Sequence, residues 1–200
     1  ENYNDDPTGA LVISSTGAIL ENQTLTVDAS QIDDADGLGV FSYQWQMTGE
    51  TSPWQDIDGA TGSSLVLNDA QVNKYIRVVA TYEDGHQTTE IIKSDGLGEI
   101  GNVNDDPTGK PVITGVWSIG STLSVETSGL NDEDGLPEYT GLYDPFTYQW
   151  KKSSNGSSWE DIPNANQKTY TLTTFDDDYH IKVNVFFKDL HNTVENIDSA

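Results

Sequence analysis

Short runs in which apolar or β-branched residues alternate with polar ones recur along the chain, and no window carries a convincing helical period. Ala10 to Ser14 (ALVIS) and Thr24 to Asp28 (TLTVD), separated by Gly17 and Asn22, predict two strands. Phe41, Tyr43, Trp45 and Met47 alternate with Ser42, Gln44 and Gln46, which predicts a half-buried strand with its aromatic face inward. Trp54 to Ile57 and Ser64 to Leu67 predict two shorter strands. Ile76, Val78, Ala80 and Tyr82 alternate toward a turn at Asp84-Gly85, and Thr88 to Lys93 closes the set. Seven short strands with a Trp on the third predict an all-β, immunoglobulin-like (cadherin-like) antiparallel β-sandwich.

The same order then returns. The hexapeptide Asn4-Asp5-Asp6-Pro7-Thr8-Gly9 recurs as Asn104 to Gly109, and Leu123, Val125 and Tyr148-Gln149-Trp150 answer Leu25, Val27 and Tyr43-Gln44-Trp45. From the third strand onward the spacing between copies stays at 105 residues, so that Trp159 answers Trp54, Leu172 answers Leu67, Ile181 answers Ile76 and Asp189 answers Asp84. Two tandem domains are predicted, 1–103 and 104–200, each of ordinary size for a core of its own. The second copy departs in three places. Pro137 replaces Gly39, Leu190 replaces Gly85, and a longer connection through Tyr139, Tyr143, Asp144 and Pro145 precedes its third strand. Its sixth-to-seventh strand turn is therefore expected to differ. The chain begins on a repeat boundary and ends soon after a predicted last strand, as expected of a piece of a longer array.

Charge narrows the partners. Nine Lys and Arg against thirty-three Asp and Glu give a formal net charge of -24, which repels nucleic acid and anionic membrane surfaces and attracts calcium or a basic surface. There is no cysteine, hence no disulfide, thiolate metal site or cysteine nucleophile. No apolar run approaches a membrane span, and no signal-peptide pattern is present.

The acids are clustered. In an immunoglobulin-like topology the start of the first strand, the second-to-third loop and the sixth-to-seventh loop share one pole. This gathers Asn4, Asp5, Asp6, Asp34, Asp36 and Asp84 in the first domain, and Asn104, Asp105, Asp106, Asp132, Asp134 and Asp189 in the second. Crowded carboxylates repel by about 1 to 4 kcal/mol per pair at 4 Å, and a hard divalent cation reverses that sign. Calcium fits best, because it accepts six to eight oxygens in loose geometry. Asp34-Ala35-Asp36-Gly37 begins like an EF-hand loop, but Leu38 and Trp45 stand at later ligand positions, so it is not one. Glu21 or Asp69 is expected to add ligands at the junction between the domains, and Asp176 to Asp178 are expected to form a solvated turn.

The runs NDDPTG, DADGLG, YQWQ, W-x-D-I-x-G-A-T and Y-x-D-G, in this order over nearly the whole chain, resemble the tandem immunoglobulin-like repeats of giant repeats-in-toxin surface adhesins of bacteria, ice-binding adhesins among them. The linker and D-x-D loop also resemble those of cadherins. The resemblance implies a monomeric, calcium-rigidified extender on the bacterial cell surface, contacting neighbouring repeats and calcium ions and holding a distal ligand-binding domain away from the cell. The competing expectation is a carbohydrate- or peptide-binding module using Trp54, Trp117, Trp159, Tyr139 and Tyr143. Among these, only Trp117 and the Tyr139 to Phe146 insertion lack counterparts. His86, His180 and His191 are the only histidines and enter no triad or metal motif, so no enzyme is expected.

Overall fold

The computed structural model describes residues 3–200, which divide into two compact units, one ending at Val103 and the other running from Asn104 to Ala200. Both are built only of β-strands and single 3-10 turns.

Unit 1 contains β1 (Val12–Ser14), β2 (Thr24–Asp28), β3 (Ser42–Thr48), β4 (Gln55–Asp56), β5 (Ser64–Val66), β6 (Tyr75–Glu83) and β7 (Thr89–Lys93). They form two antiparallel sheets, ordered β1-β2-β5 and β4-β3-β6-β7. Unit 2 repeats this with β8 (Val112–Thr114), β9 (Thr122–Glu126), β10 (Thr147–Ser153), β11 (Glu160–Asp161), β12 (Thr169–Thr171), β13 (His180–Lys188) and β14 (Val194–Asp198), ordered β8-β9-β12 and β11-β10-β13-β14. The fourth strand of each unit is short and follows the third across a tight connection. It therefore pairs back onto that strand as a hairpin, Gln46 opposite Asp56 and Lys151 opposite Asp161, and not onto the fifth as in a constant-type immunoglobulin domain.

Each pair of sheets closes on a tryptophan. Trp45 on β3 is fully buried among Leu25 of β2 and Ile76, Val78 and Ala80 of β6, so one cluster joins both sheets. Trp150 does the same among Leu123, Val125, Val183 and Val185. A buried indole needs an acceptor. Trp45 Nε1 donates to the Gly62 carbonyl at 2.9 Å, and Trp150 Nε1 to that of Gln167 at 2.9 Å. The polar face of the same strands also supports the core: Gln44 Nε2 donates to the Trp45 and Ile57 carbonyls, and Gln149 Nε2 to those of Trp150 and Ile162.

Two features lie outside the alternation of the sequence. After β7 the chain of unit 1 runs back as a strap. Leu97 exchanges both backbone hydrogen bonds with Ile76, while Ile100 and Gly101 form parallel bridges to Val72 and Leu20. Ile100 is fully buried, and Gly96 and Gly98 pass so close to the Trp54 and Tyr75 rings that an added Cβ would sit 3.3 and 3.2 Å from ring carbons. The second feature is Asp176, which is buried rather than part of a solvated turn. It closes a capping box around the 3-10 turn Thr174–Asp176 and accepts from Tyr170 Oη, Thr173 N and Thr173 Oγ1. Burial pushes its carboxyl up, but those hydrogen bonds outweigh it and hold the pKa below the ordinary value. Asp177 and Asp178 remain exposed.

Trp150→Ala removes the side chain that joins the two sheets of unit 2, and urea unfolding should show a loss of about 3–5 kcal/mol. Leu142→Ser, at a side chain that is 98% exposed in the insertion, should change stability by less than about 0.5 kcal/mol in the same measurement.

Candidate metal centre

One end of each unit is assembled by aspartates that use one oxygen to hold backbone. In unit 1, Asp34 Oδ1 accepts from Asp36 N at 2.8 Å, and Asp36 Oδ2 accepts from Asp5 N at 2.8 Å, which ties the entering chain to the β2–β3 loop. Asp84 Oδ1 accepts from both His86 N and Thr88 N, at 2.8 and 2.7 Å, and so shapes the β6–β7 turn. Gly85 N donates to the Asp36 carbonyl and brings that turn against the β2–β3 loop. Three distant segments therefore meet, although no strand runs between them.

Unit 2 repeats the arrangement. Asp132 Oδ1 accepts from Asp134 N at 2.9 Å, Asp134 Oδ2 from Asp105 N at 2.7 Å, and Asp189 Oδ1 from His191 N and Thr193 N, both at 2.8 Å. The β13–β14 turn does differ, as its leucine implies. A Cβ on Gly85 would lie 2.4 Å from the Asp36 carbonyl, so Leu190 cannot take that position. Its amide instead donates one residue further along, to the Gly135 carbonyl, and its side chain lies over Gly135.

Asp34, Asp36, Asp84, Asp132, Asp134 and Asp189 are all buried. Asp5 and Asp105 reach the same end through their backbone amides. Asn4 and Asn104 are exposed, yet their side-chain amides donate to Glu90 Oε1 at 2.8 Å and Glu195 Oε1 at 2.9 Å. Asp6 and Asp106 are exposed and enter no hydrogen bond or ion pair among the described residues. Sequence reasoning missed Glu90 and Glu195. Both sit on the inward face of the last strand, 105 residues apart like the rest of the copy, and a carboxylate repeated at an inward strand position was the signal.

What remains is a set of buried carboxylate oxygens with no hydrogen-bond donor: Asp84 Oδ2 in unit 1, and Asp132 Oδ2, Asp134 Oδ1 and Asp189 Oδ2 in unit 2. Such an oxygen costs about 1–3 kcal/mol or more if nothing neutralises it. Two side chains account for the difference between the copies. In unit 1 the Tyr82 hydroxyl donates to Asp34 Oδ2, and the matching residue of unit 2 is Phe187, which leaves Asp132 Oδ2 without a donor. His86 Nδ1, 3.1 Å from Asp36 Oδ1, is the one side-chain base on a carboxylate at either end among the described residues. Burial above all, then repulsion from Asp134, Asp189 and Glu195, pushes the Asp132 pKa up to about 6 against the opposing hydrogen bond from Asp134 N.

These donor sets suit a hard cation. They offer only oxygen, part of it already oriented by backbone amides, and within unit 2 a carboxylate oxygen of Asp105 and one of Asp134 lie within 4.8 Å of each other. At the opposite end of unit 1, buried Glu21 accepts from Val103 N, one of its carboxylate oxygens lies within 4.8 Å of one of Asp69, and Asp69 Oδ1 has no donor. The corresponding residues of unit 2 are Ile119 and Thr174, so that second acidic end is not repeated.

The aromatics expected to form one binding platform are spread out. Trp54 and Trp159 are covered by Arg77 and Lys182, at 4.4 and 4.6 Å from the ring centres. Trp117 lies beside Tyr179 and Ile181 near the start of β13, whereas Tyr143 lies beside Phe186 and Lys188 at its end, roughly 26 Å away for a strand of this length.

Comparison of the chain with protein-family models and with curated proteins returns no match.

Two outcomes follow from Asp132. Its folded pKa is raised, so its contribution to stability is complete below about pH 4 and is lost as pH rises through about 6. In chelator, unit 2 should therefore unfold more easily at pH 7 than at pH 4.5, by on the order of 2 kcal/mol, as read by urea titration at each pH. Phe187→Tyr restores the hydroxyl that Asp34 receives, and the metal-free protein should gain about 1–2 kcal/mol.

Proposed function

We propose that the chain is a calcium-stabilised spacer: two tandem β-sandwiches that form part of the extender of a long bacterial surface adhesin and hold a distal binding domain away from the cell. The observation that carries this reading is the group of buried, donorless carboxylate oxygens on Asp132, Asp134 and Asp189, repeated in reduced form at Asp84. Calcium would be held by these oxygens together with Asp105, and in unit 1 by Asp34, Asp36 and Asp84. Bound there, the ion supplies positive charge that turns mutual repulsion into attraction.

The mechanical consequence follows from the connection. Val103 N is held by Glu21 of its own unit, and Asp105 N by Asp134 of the next, so little chain is free between the two anchors. An ion held by Asp134 and Asp105 together adds ion–oxygen contacts to the second anchor, and the joint stiffens when calcium is present. The resemblance of the repeated motifs to adhesin extenders supports the same reading and adds the cell-surface setting. A glycan- or peptide-binding module is the second reading, favoured by the exposure of Trp117, Tyr139 and Tyr143.

Calorimetry and small-angle scattering with calcium and with chelator test the proposal. Calcium at about 100 times its dissociation constant should add ~2.7 kcal/mol per site, seen as a raised melting temperature, together with a narrower range of shapes. Asp132→Asn with Asp189→Asn should abolish the gain in unit 2. Identical melting curves with calcium and chelator would remove the metal from the account.

A further inference from the structure

The outer face of the four-stranded sheet of unit 2 carries a groove beside the insertion. Residues 138–144 enter between the counterparts of Gly39 and Val40, and a proline stands at each limb, Pro137 and Pro145, where its ring fixes φ. Asp144 holds the returning limb: its Oδ1 accepts from Phe146 N at 3.0 Å and its Oδ2 from Tyr148 Oη at 2.8 Å. Together with Tyr143 the two prolines wall an open groove of about 410 Å³ over the end of β13, and Phe186, Lys188 and Val194 line it from the sheet.

The sheet residues at this spot differ in chemistry from those of the first copy. Phe186, Lys188 and Val194 stand where unit 1 has Thr81, Glu83 and Thr89. They share the outward face, because the alternate positions Phe187 and Glu195 are buried. Register sets a polar residue on each side of Phe186: Thr147 is its partner on β10, and Asn196 its partner on β14. Since β13 is hydrogen-bonded along both edges, it offers no free edge for a peptide to extend. Charge adds a further observation. Of the lysines in this sheet, Lys151, Lys152 and Lys182 face carboxylates at 2.7, 3.8 and 2.5 Å, whereas Lys188 is paired with none among the described residues. A cation standing where unit 1 has an anion, beside an aromatic and proline-walled floor, suits an anionic group carried on an apolar surface.

We propose that this groove binds a hexuronic acid residue at the end of a glycan. One C–H face of the pyranose lies on the negative face of the Phe186 ring, between the walls formed by Tyr143 and Pro145. The carboxylate pairs with Lys188, and the hydroxyls exchange hydrogen bonds with Thr147, Asn196 and the Tyr143 hydroxyl, side chains that both donate and accept. A single terminal acid fits better than a run of acidic sugars, because the net charge of -24 repels a polyanion. The site rests on the second reading above, a glycan-binding module, and does not depend on the calcium-stabilised spacer.

The direct test titrates methyl glucuronide and methyl galacturonide into the isotope-labelled 200-residue chain, with methyl glucoside and N-acetylneuraminic acid as contrasts. Saturable amide shifts at Thr147, Phe186, Lys188 and Asn196 are expected with at least one uronide, weakening as sodium chloride is raised. The glucoside should bind at least tenfold more weakly. Lys188→Glu and Phe186→Thr each install the residue that unit 1 carries on the same sheet, and each should lower uronide affinity at least tenfold while the amide spectrum elsewhere stays that of the folded chain. Lys188→Gln, which removes only the charge, should do the same. Equal binding of the glucoside, undiminished binding by the Lys188 variants, shifts confined to residues around Trp117, or tighter binding of N-acetylneuraminic acid would overturn the assignment and leave the glycan reading standing. Absence of shifts with all four sugars would overturn both.

Discussion

Crowded negative charge at one end of each sandwich is the constraint on which the rest of the structure depends. Each aspartate there gives one oxygen to backbone amides, so the carboxylates are building material: they close the turn after the sixth strand, shape the loop after the second and hold the entering chain. The same use buries them, and burial beside like charges makes their second oxygens costly. A bound cation would resolve that conflict without dismantling the loops. Protonation also relieves it, at Asp132 near pH 6.

The two copies deal with the cost differently. Unit 1 meets part of it internally, with the Tyr82 hydroxyl on Asp34 and His86 on Asp36. Unit 2 has Phe187 in place of the tyrosine and leaves three oxygens for an external partner. The missing hydroxyl accounts for the oxygen of Asp132, and the lack of a contact like that of His86 for the oxygen of Asp134, so the second copy keeps more uncompensated charge at this end. The opposite ends also diverge: Glu21 and Asp69 make that of unit 1 acidic, whereas Ile119 and Trp117 stand half-exposed at that of unit 2. Divergence is concentrated at the ends because the tryptophan-centred cores, which fix the sheets, admit little change in volume.

Much of the architecture was legible in the sequence. Alternation located the strands, since side chains on a strand point to opposite faces and a half-buried sheet must show that period. The second strand runs from Thr24 to Asp28 as read, and β6 alternates from Ile76 to Tyr82 as read, because burial of one face leaves no freedom of register. The motif pattern also singled out Asp34, Asp36, Asp84 and their partners in unit 2. Glu90 and Glu195 escaped notice because a glutamate within a strand looks like a solvated one unless its face is known.

Sequence by itself determined the β class, the duplication and the strands, because these follow from local periodicity and from one motif returning at a fixed spacing. Only the tertiary structure decided which oxygen of each aspartate is used up, that Asp176 is a buried cap, and that Leu97 to Gly101 form a strap. Each of these depends on groups far apart in the chain. A hydrogen bond consumed by a neighbour 30 or 50 residues away leaves no local trace, and neither does a glycine chosen because a ring lies above it.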